Sequence, residues 1–280
     1  MWSHVNPSRD IVVANFNIHA GIDGWGAEFD AAKACTNLDA DVLVIEEDWV
    51  GDDPCESIGA AVARDGGYTV LTVPLSHARR RHVPPSSSTR PRRWQPRRGP
   101  GFIRPLLLDG PPRSMRARAT HQERTMSVTS GSWATSLLSR LPILHSELID
   151  LPALRGDPAR RKAILATLDT GNDTPLTVIG VHLGHLTQGS LRQMRALRRH
   201  IATLAGPTML VGDLNCWGPP LRITLHGLHD AVKGATWPSW RPHSRIDHIL
   251  VSDRSLVMSS QVLPSAGSDH LPIQCVVQVP

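Results

Sequence analysis

Short apolar runs follow one another along this chain, and their succession limits the folds that it can adopt. Runs of about five to eight residues, bounded by polar or turn-forming residues, are typical of β-strands. They occupy residues 11–17, 42–46, 134–139, 143–150, 162–169, 176–183, 208–212, 246–252, 257–263 and 272–279. Several neighbouring runs are separated by only a few residues, as at 139–142, which favours hairpins. The sequence therefore predicts a core built mainly from β-sheets.

Only two stretches predict substantial helices. One is residues 27–38, between the first two runs, and the other is residues 188–205. In the second stretch apolar residues recur at three- and four-residue intervals, as in an amphipathic helix. Many strands with few helices between them suit two packed sheets rather than a doubly wound parallel sheet. We predict an α/β fold: a four-layer sandwich of two packed mixed β-sheets with helices on the outer faces, formed by a single domain over residues 1–280.

Residues 77–126 differ from the rest of the chain in charge. They contain 13 arginines against Asp109 and Glu123, a net charge of +11, whereas the remaining 17 basic and 23 acidic residues give −6. Prolines interrupt the segment, and neither helical nor strand periodicity extends over most of it. We therefore predict a long surface loop. It either binds a polyanion, such as nucleic acid or a phosphorylated lipid, or is a solvated insertion without a ligand.

The sequence also bears on location and redox state. No apolar run approaches the roughly 20 residues of a membrane helix, and the first residues lack the basic and apolar regions of a signal peptide. We expect a cytoplasmic monomer without a transmembrane segment. The four cysteines, Cys35, Cys55, Cys216 and Cys275, show no C-x-x-C spacing, and we expect them to be thiols that fill the core.

Residues 209–215 are the most informative for chemistry. This apolar strand reaches Gly212 and then presents Asp213 and Asn215 two positions apart, which places both side chains on one face. A carboxylate at a strand end can hold or deprotonate a water molecule, and an amide can donate a hydrogen bond to a phosphate oxygen without adding charge. Taken alone, the same pattern also fits an Asx-turn that follows a strand.

Other predicted strands begin or end in polar residues as well. These residues are Asn17, Glu46, Glu47, His182, Asp247, His248, Asp269 and His270. Oxygen donors spread over several strand ends suit Mg²⁺ or Mn²⁺, whereas a Zn²⁺ site more often has dense histidine or cysteine ligands. A carboxylate beside a histidine favours the imidazolium and fixes the tautomer of the ring. Together these groups are the parts that metal-assisted phosphoester hydrolysis requires.

In order and in spacing, these motifs resemble those of the endonuclease/exonuclease/phosphatase superfamily, the DNase I-like group, over nearly the whole chain. The resemblance rests on Asn17, on Glu47, on Ser139-Arg140-Leu141-Pro142, on His182, on Gly212-Asp213-Leu214-Asn215, on Asp247 and on Ser268-Asp269-His270. It implies the sandwich fold described above and an enzyme that uses Mg²⁺ or Mn²⁺ to hydrolyse phosphate esters by in-line attack of water.

The resemblance also implies a role for each residue. Glu47, Asp269 and Asn17 match the family's metal-binding positions, and Arg140 and Asn17 match positions that face the phosphate. The matching catalytic residues are His182, Asp213, Asn215, Asp247 and His270. In this scheme Asp213, held by Asn215, orients or deprotonates the water. His270, paired with Asp247, stabilises the phosphorane or protonates the leaving group, and His182 holds a non-bridging oxygen.

Several features leave the substrate open. Glu46 stands where the family usually has glutamine, so an extra negative charge lies either near the metal or in solvent. The basic segment 77–126 replaces the region in which family members build substrate specificity. Trp217, Trp237 and Trp240 flank the site in sequence and either stack on a base or sugar or pack at the rim. Besides a phosphodiesterase or phosphomonoesterase, the chain is compatible with a DNA or RNA nuclease and, less well, with a non-catalytic polyanion-binding protein.

Overall fold

The structure of the protein is a computed structural model that describes residues 9–24, 26–52, 56–82 and 127–280. Its strands are β1 (Asp10–Asn17), β2 (Val42–Gly51), β3 (Thr69–His82), β4 (Ser127–Ser139), β5 (Ile143–Asp150), β6 (Lys162–Leu168), β7 (Leu176–His182), β8 (Thr208–Asp213), β9 (His229–Asp230), β10 (Asp247–Val251), β11 (Val257–Val262) and β12 (Ile273–Gln278). They form two six-stranded sheets. The first sheet has the order β11-β12-β1-β2-β4-β3 and the second β5-β6-β7-β8-β10-β9.

Both sheets are mixed. The pairs β1–β2 and β7–β8 are parallel, and the other pairs are antiparallel. The helices are α1 (Ala31–Thr36), α2 (Ile58–Gly66), α3 (Leu191–Ile201) and α4 (Pro219–Thr224). The side chain of Asp30 accepts a hydrogen bond at the start of α1, and that of Ser57 does so at the start of α2, which satisfies amide groups that a helix terminus leaves free.

Three apolar clusters separate four layers. Successive side chains of a strand point to opposite faces of its sheet. In β1, Val13 packs between the two sheets, whereas Phe16 packs under α1 and α2. In β7, Val178 packs between the sheets, whereas Ile179 packs under α3 and α4. The predicted sandwich of two mixed sheets with helices on its outer faces is therefore confirmed.

The predicted surface loop is wrong for residues 77–82. These residues belong to β3, which pairs with β4 from Thr69 opposite Ser139 to His82 opposite Ser127. The run of arginines conceals the strand in the sequence, but Ala78 and His82 are buried on one face of the sheet. The ladder with β4 satisfies the backbone N–H and C=O groups of β3 that point toward β4. Residues 83–126, the rest of the predicted loop, lie outside the described residues.

The helices differ from the sequence prediction in length and number. The stretch predicted at 27–38 becomes helical only at Ala31, and the one predicted at 188–205 forms α3 over Leu191–Ile201. Neither α2 nor α4 was predicted, because both are short and contain few large apolar residues with helical spacing. None of the helices in the described ranges is long and apolar enough to cross a membrane. Cys35, Cys216 and Cys275 are buried free thiols, as expected, and Cys55 lies outside the described residues.

Candidate active site

Strand register brings polar side chains of both sheets to one end of the sandwich. In the second sheet, Asp213 at the end of β8 lies opposite both His182 of β7 and Asp247 of β10. In the first sheet, Asn17 at the end of β1 lies opposite Glu46 of β2. The side chain of Asn17 joins the two sheets, since its Nδ2 donates to Asp213 Oδ2 at 3.2 Å. Residues that are far apart in the sequence are therefore neighbours at this end.

A β-bulge sets the direction of Glu47. The pairing of β2 with β4 shifts register between Glu46 and Asp48, which leaves Glu47 as the extra residue, with a positive φ of 52°. A bulge of this kind re-aims a side chain, and a non-glycine residue in this conformation is strained. Burial raises the pKa of Glu47, the Asp269 carboxylate adds to the rise, and His19 opposes it. Within the described residues, Glu47 Oε2 is buried and has no hydrogen-bond partner.

The loop before β12 carries Asp269 and His270 into the space between the sheets. The hydroxyl group of Ser268 donates to the main-chain oxygen of Asn17 at 2.7 Å and accepts from the His270 amide at 3.2 Å. Trp237 Nε1 donates to Asp269 Oδ2 at 3.2 Å. These contacts tie the loop to the end of β1 and fix one oxygen of the Asp269 carboxylate.

His270 forms a buried pair with Asp247. Its Nδ1 lies 3.0 Å from both carboxylate oxygens of Asp247. Burial alone would lower the pKa of His270, but the carboxylates of Asp247, Asp269 and Asp213 outweigh it and raise this pKa well above its usual value. The arrangement therefore favours the imidazolium form, with Nδ1 occupied by Asp247 and Nε2 as the nitrogen that can reach a substrate.

Asp213 lies next to this pair. One ligand atom from each of Asp213, Asp247 and His270 falls within 4.8 Å of the other two. Burial and, after it, the Asp247 carboxylate raise the pKa of Asp213 to about 7. The main-chain N–H of Asn215 donates to Asp213 Oδ1 at 2.8 Å. Asp213 is therefore held at both oxygens, by Asn17 and by Asn215, and can gain or lose a proton near neutral pH.

His182 completes the row of residues on the second sheet. Its Nε2 lies 3.3 Å from Asn215 Nδ2 and 3.6 Å from Asp213 Oδ2. Burial, then the charges of Arg161 and His270, lower the pKa of His182 well below its usual value. Arg161 also donates to the His182 carbonyl oxygen at 2.9 Å and lies over the ring of Trp133. The ring of His182 is therefore a neutral hydrogen-bonding group rather than a second cation.

Oxygen donors at this end fit a hard divalent cation. Glu47 offers the unpartnered Oε2, and Asp269 presents Oδ1 on the side of His19. Carboxylates are ligands that Mg²⁺ and Mn²⁺ prefer. The group formed by Asp213, Asp247 and His270 is also compact enough for a metal. It suits one less well, because the favoured imidazolium form of His270 repels a cation.

The comparison with known families bears directly on this arrangement. A model described as the Endonuclease/Exonuclease/phosphatase family matches residues 14–270. The chain belongs to this family. The matched range begins in β1 and ends at His270, so it contains all of the strand-end residues described above. No curated protein matches the chain significantly.

Solved structures share the family fold at low sequence identity. An endonuclease/exonuclease/phosphatase from Beutenbergia cavernae DSM 12333 has a TM-score of 0.64 and 20% identity, and the alignment covers 97% of this chain and 72% of that chain. The human Nocturnin catalytic domain with bound sulfate has a TM-score of 0.57 and 17% identity, with 97% and 95% covered. D. rerio TDP2 complexed with a single-strand DNA product has a TM-score of 0.56 and 15% identity, with 95% and 98% covered.

The structure does not bring Arg140 to the other family residues. Arg140 follows β4 next to the start of β2, which is five residues, or about 17 Å of strand, from Glu47. Its guanidinium donates to Asp39 and to the Gly66 carbonyl oxygen and lies over the ring of Tyr68. The sequence motif therefore marks a turn at the opposite end of the sheet, and we assign Arg140 no phosphate contact.

Two buried residues of the site were not assigned a role from the sequence. His19 Nδ1 lies 3.4 Å from Asp269 Oδ1, and the two-residue spacing from Asn17 is the signal that would have found it. Glu46 is fully buried and does not extend into solvent. Burial and then the carboxylates of Asp247 and Asp213 raise its pKa well above the usual value. Glu46 is therefore favoured as a neutral acid, a closer equivalent of the family's glutamine than its charged form would be.

The three flanking tryptophans have different surroundings. Trp237 donates to Asp269, as described above, and so positions a site residue. Trp240 packs against Gly24, where a Cβ atom would lie 2.6 Å from its ring. Trp217 is 49% exposed, which makes it the one among these three with a large free surface for stacking.

Proposed function

We propose that this member of the family hydrolyses phosphate esters with the help of Mg²⁺ or Mn²⁺. One observation carries the proposal: Asp213, with a pKa near neutrality, lies against the buried pair of Asp247 and His270. Titratable groups that can serve as proton acceptor and proton donor at the same pH are what acid–base catalysis of ester hydrolysis requires. Membership of the family supports the same reaction class.

Asp213 is our candidate for the group that accepts a proton from the attacking water. The N–H groups of Asn17 and Asn215 hold its two oxygens, so the carboxylate has a fixed orientation toward the space between the sheets. Fixed orientation lowers the entropy that the reaction must lose. The neutral ring of His182, beside Asp213, is our candidate for contacting a non-bridging phosphate oxygen.

His270 is our candidate for the proton donor. Asp247 holds Nδ1, which leaves Nε2 to donate to the leaving oxygen or to the phosphorane. Glu47 and Asp269, with Asn17 nearby, would hold the cation. When bound there, a divalent cation supplies charge neutralisation at the phosphate oxygens.

A hydrolysis assay with matched controls tests the proposal. The purified chain, with Mg²⁺ or Mn²⁺, is incubated with bis(p-nitrophenyl) phosphate and with p-nitrophenyl phosphate. We expect Asp213→Asn and His270→Ala to lower turnover about 10²- to 10⁴-fold each. The controls Asp173→Asn and His145→Ala, both at exposed positions, should stay near wild type. Wild-type turnover in a folded Asp213→Asn or His270→Ala variant would contradict the proposal.

Nucleic acid is the second candidate substrate, and charge is the observation that favours it. Residues 77–126 carry a net charge of +11, and within the described part of this segment Arg79 is exposed at the end of β3. A basic surface beside a phosphodiesterase site raises the local concentration of a polyanion. The salt dependence of binding to single-stranded DNA tests this candidate.

A further inference from the structure

His19 occupies a fixed position in the candidate active site. It lies in a 3-10 turn directly after β1, has a positive φ of 46° and is 4% exposed. Its amide donates to Asn17 Oδ1 at 3.0 Å, and its carbonyl oxygen accepts from the Ile22 amide at 3.1 Å. The backbone on both sides of the ring is therefore held, at a φ that residues with a Cβ rarely adopt.

The ring of His19 has a nitrogen without a hydrogen bond. Nδ1 lies 3.4 Å from Asp269 Oδ1, but the geometry is not that of a hydrogen bond, and across the described ranges this buried atom has no partner. Glu47 Oε2 is in the same condition. Buried polar atoms are nearly always paired, so each of these two unpaired atoms indicates a missing partner.

The other contacts of these residues leave that space to a ligand. Trp237 occupies Asp269 Oδ2 and leaves Oδ1 beside His19. The Asn17 side chain is used by Asp213 and by the His19 backbone, and a hydrogen bond from it also lowers the pKa of Glu47. The contact of 3.4 Å between His19 Nδ1 and Asp269 Oδ1 places the imidazole beside this carboxylate. An imidazole nitrogen thus lies beside one carboxylate oxygen, and a second carboxylate, that of Glu47, has a buried oxygen without a hydrogen-bond partner.

From this geometry we propose that His19 Nδ1 is a nitrogen ligand of the cation held by Glu47 and Asp269. The inference rests on the proposed function for the place of the cation, but it concerns binding and not turnover. Imidazole is a better ligand for Mn²⁺, Co²⁺ or Zn²⁺ than for Mg²⁺, which prefers an all-oxygen shell. The site therefore prefers a transition-metal ion to Mg²⁺, and His19 sets that preference.

Nitrogen ligation of Mn²⁺ can be measured without substrate. The metal-free full-length chain is loaded with one equivalent of Mn²⁺, and electron spin-echo envelope modulation is recorded for ¹⁴N coupled to the metal. We expect ¹⁴N modulation in the wild type and in His145→Ala, and its loss in His19→Asp. Competitive titration should show His19→Asp shifting the ratio of Mg²⁺ to Mn²⁺ dissociation constants toward Mg²⁺ by about tenfold or more.

Several results would overturn the proposal. They are the absence of ¹⁴N modulation in wild-type protein with bound Mn²⁺, the absence of Mn²⁺ binding, and modulation that persists in His19→Asp, which would place the metal on another histidine such as His270. The first two results are measured on wild-type protein alone. The inference can therefore be contradicted even if His19→Asp fails to fold. Nitrogen-ligated Mn²⁺ in a chain that hydrolyses no phosphate ester would uphold this inference and contradict the proposed function; hydrolysis without a nitrogen ligand would do the reverse.

Discussion

Single residues of the candidate active site differ in the protonation state that their surroundings favour. Asp213 is held by two N–H donors, yet burial and Asp247 raise its pKa to about 7. His270 is equally buried, but three carboxylates raise its pKa well above the usual value. Near pH 7 a proton acceptor and a proton donor are therefore available side by side.

The first prediction concerns the pH dependence of stability in the metal-free chain. Because the folded-state pKa of Asp213 is raised, its favourable contribution is complete below the unfolded-state pKa and is lost as pH rises through about 7. A pKa that differs by one between the folded and unfolded chain corresponds to roughly 1.4 kcal/mol. Urea unfolding in chelator should show Asp213→Asn gaining stability relative to wild type between pH 4 and pH 8. A difference that does not change with pH, or an equal gain in Asp173→Asn, would contradict this assignment.

The second prediction concerns Glu47 and metal binding. Its unpartnered oxygen and its strained φ indicate a residue kept for a ligand at the expense of stability. Glu47→Gln should unfold at the same or a higher temperature than wild type in chelator. At an Mn²⁺ concentration of a hundred times the wild-type dissociation constant, the free energy of unfolding of wild type should rise by about 2.7 kcal/mol. That of the variant should hardly change.

Thermal unfolding with and without Mn²⁺ measures both effects. Glu147→Gln, at an exposed position of β5, is the matched control and should respond to Mn²⁺ as wild type does. Full stabilisation of Glu47→Gln by Mn²⁺ would exclude Glu47 as a ligand.

The sequence predicted the positions of polar residues best where they lie at strand ends. Asp213 and Asn215 follow an apolar strand with a two-residue spacing, and the structure places them beside His182, as the family motifs suggested. The prediction did not extend to Arg140. The end of the sandwich at which a turn lies depends on how its two strands are placed in the sheets, and the motif alone does not give this placement. The prediction also missed His19, because the two-residue spacing from Asn17 was not used and the residue lies in an irregular turn rather than in the strand.

At the scale of elements, strand register determines the site. The parallel pair β7–β8 sets His182 beside Asp213, and the antiparallel pair β8–β10 sets Asp247 on its other side. Gly212 makes the first of these pairings possible. Its φ is 151°, and a Cβ atom there would collide with the carbonyl oxygen of Val181.

The third prediction follows from this close approach. Gly212→Ala should cost about 3 kcal/mol or more, at the upper end of the cost of overpacking, because two backbones must separate. Gly171→Ala is the control: its φ is 75°, with nothing within 4 Å of an added Cβ, so only conformational strain of about 1–2 kcal/mol is expected. Denaturant unfolding measures both. Equal losses in the two variants would show that the strand contact does not set the requirement for glycine.

Elements with strong local patterns were predicted and those with weak ones were not. The apolar runs gave most of the central strands, because each buries alternate faces against a sheet or a helix. β3 was missed from 69 to 82 because its arginines and Pro74 hide a pattern that only the long ladder with β4 makes stable. The short α2 depends on the Ser57 cap and on Asp48, which accepts from the Gly59 amide at 2.9 Å, a contact that local periodicity does not reveal.

At the scale of the whole molecule, the uneven distribution of charge separates two substrate classes. His82, the last residue of β3, pairs with Ser127, the first residue of β4. Residues 83–126 connect these two residues in the sequence. Opposed residues of an antiparallel pair can be joined by a two-residue turn such as Asn-Gly. Residues 83–126 can therefore be removed without disturbing the ladder between β3 and β4.

The fourth prediction uses this closure. A variant with Asn-Gly in place of residues 83–126 should fold and hydrolyse bis(p-nitrophenyl) phosphate as wild type does. If nucleic acid is the substrate, binding of this variant to single-stranded DNA should depend less on salt. The slope of the logarithm of the binding constant against the logarithm of salt concentration should become shallower by about 0.7 for each phosphate contact removed. Fluorescence anisotropy across a salt series measures the slope. An unchanged slope would remove the main support for a nucleic-acid substrate.

The fate of the oxygen in the attacking water tests the central claim most directly. Hydrolysis of a phosphodiester in H₂¹⁸O, with Mn²⁺ present, is followed by mass spectrometry of both products. Attack at phosphorus by a water molecule that Asp213 deprotonates predicts one ¹⁸O in the phosphate product and none in the alcohol, with the signal lost in Asp213→Asn and His270→Ala. Label in the alcohol, or the same labelled product formed at the wild-type rate by the two variants, would contradict it.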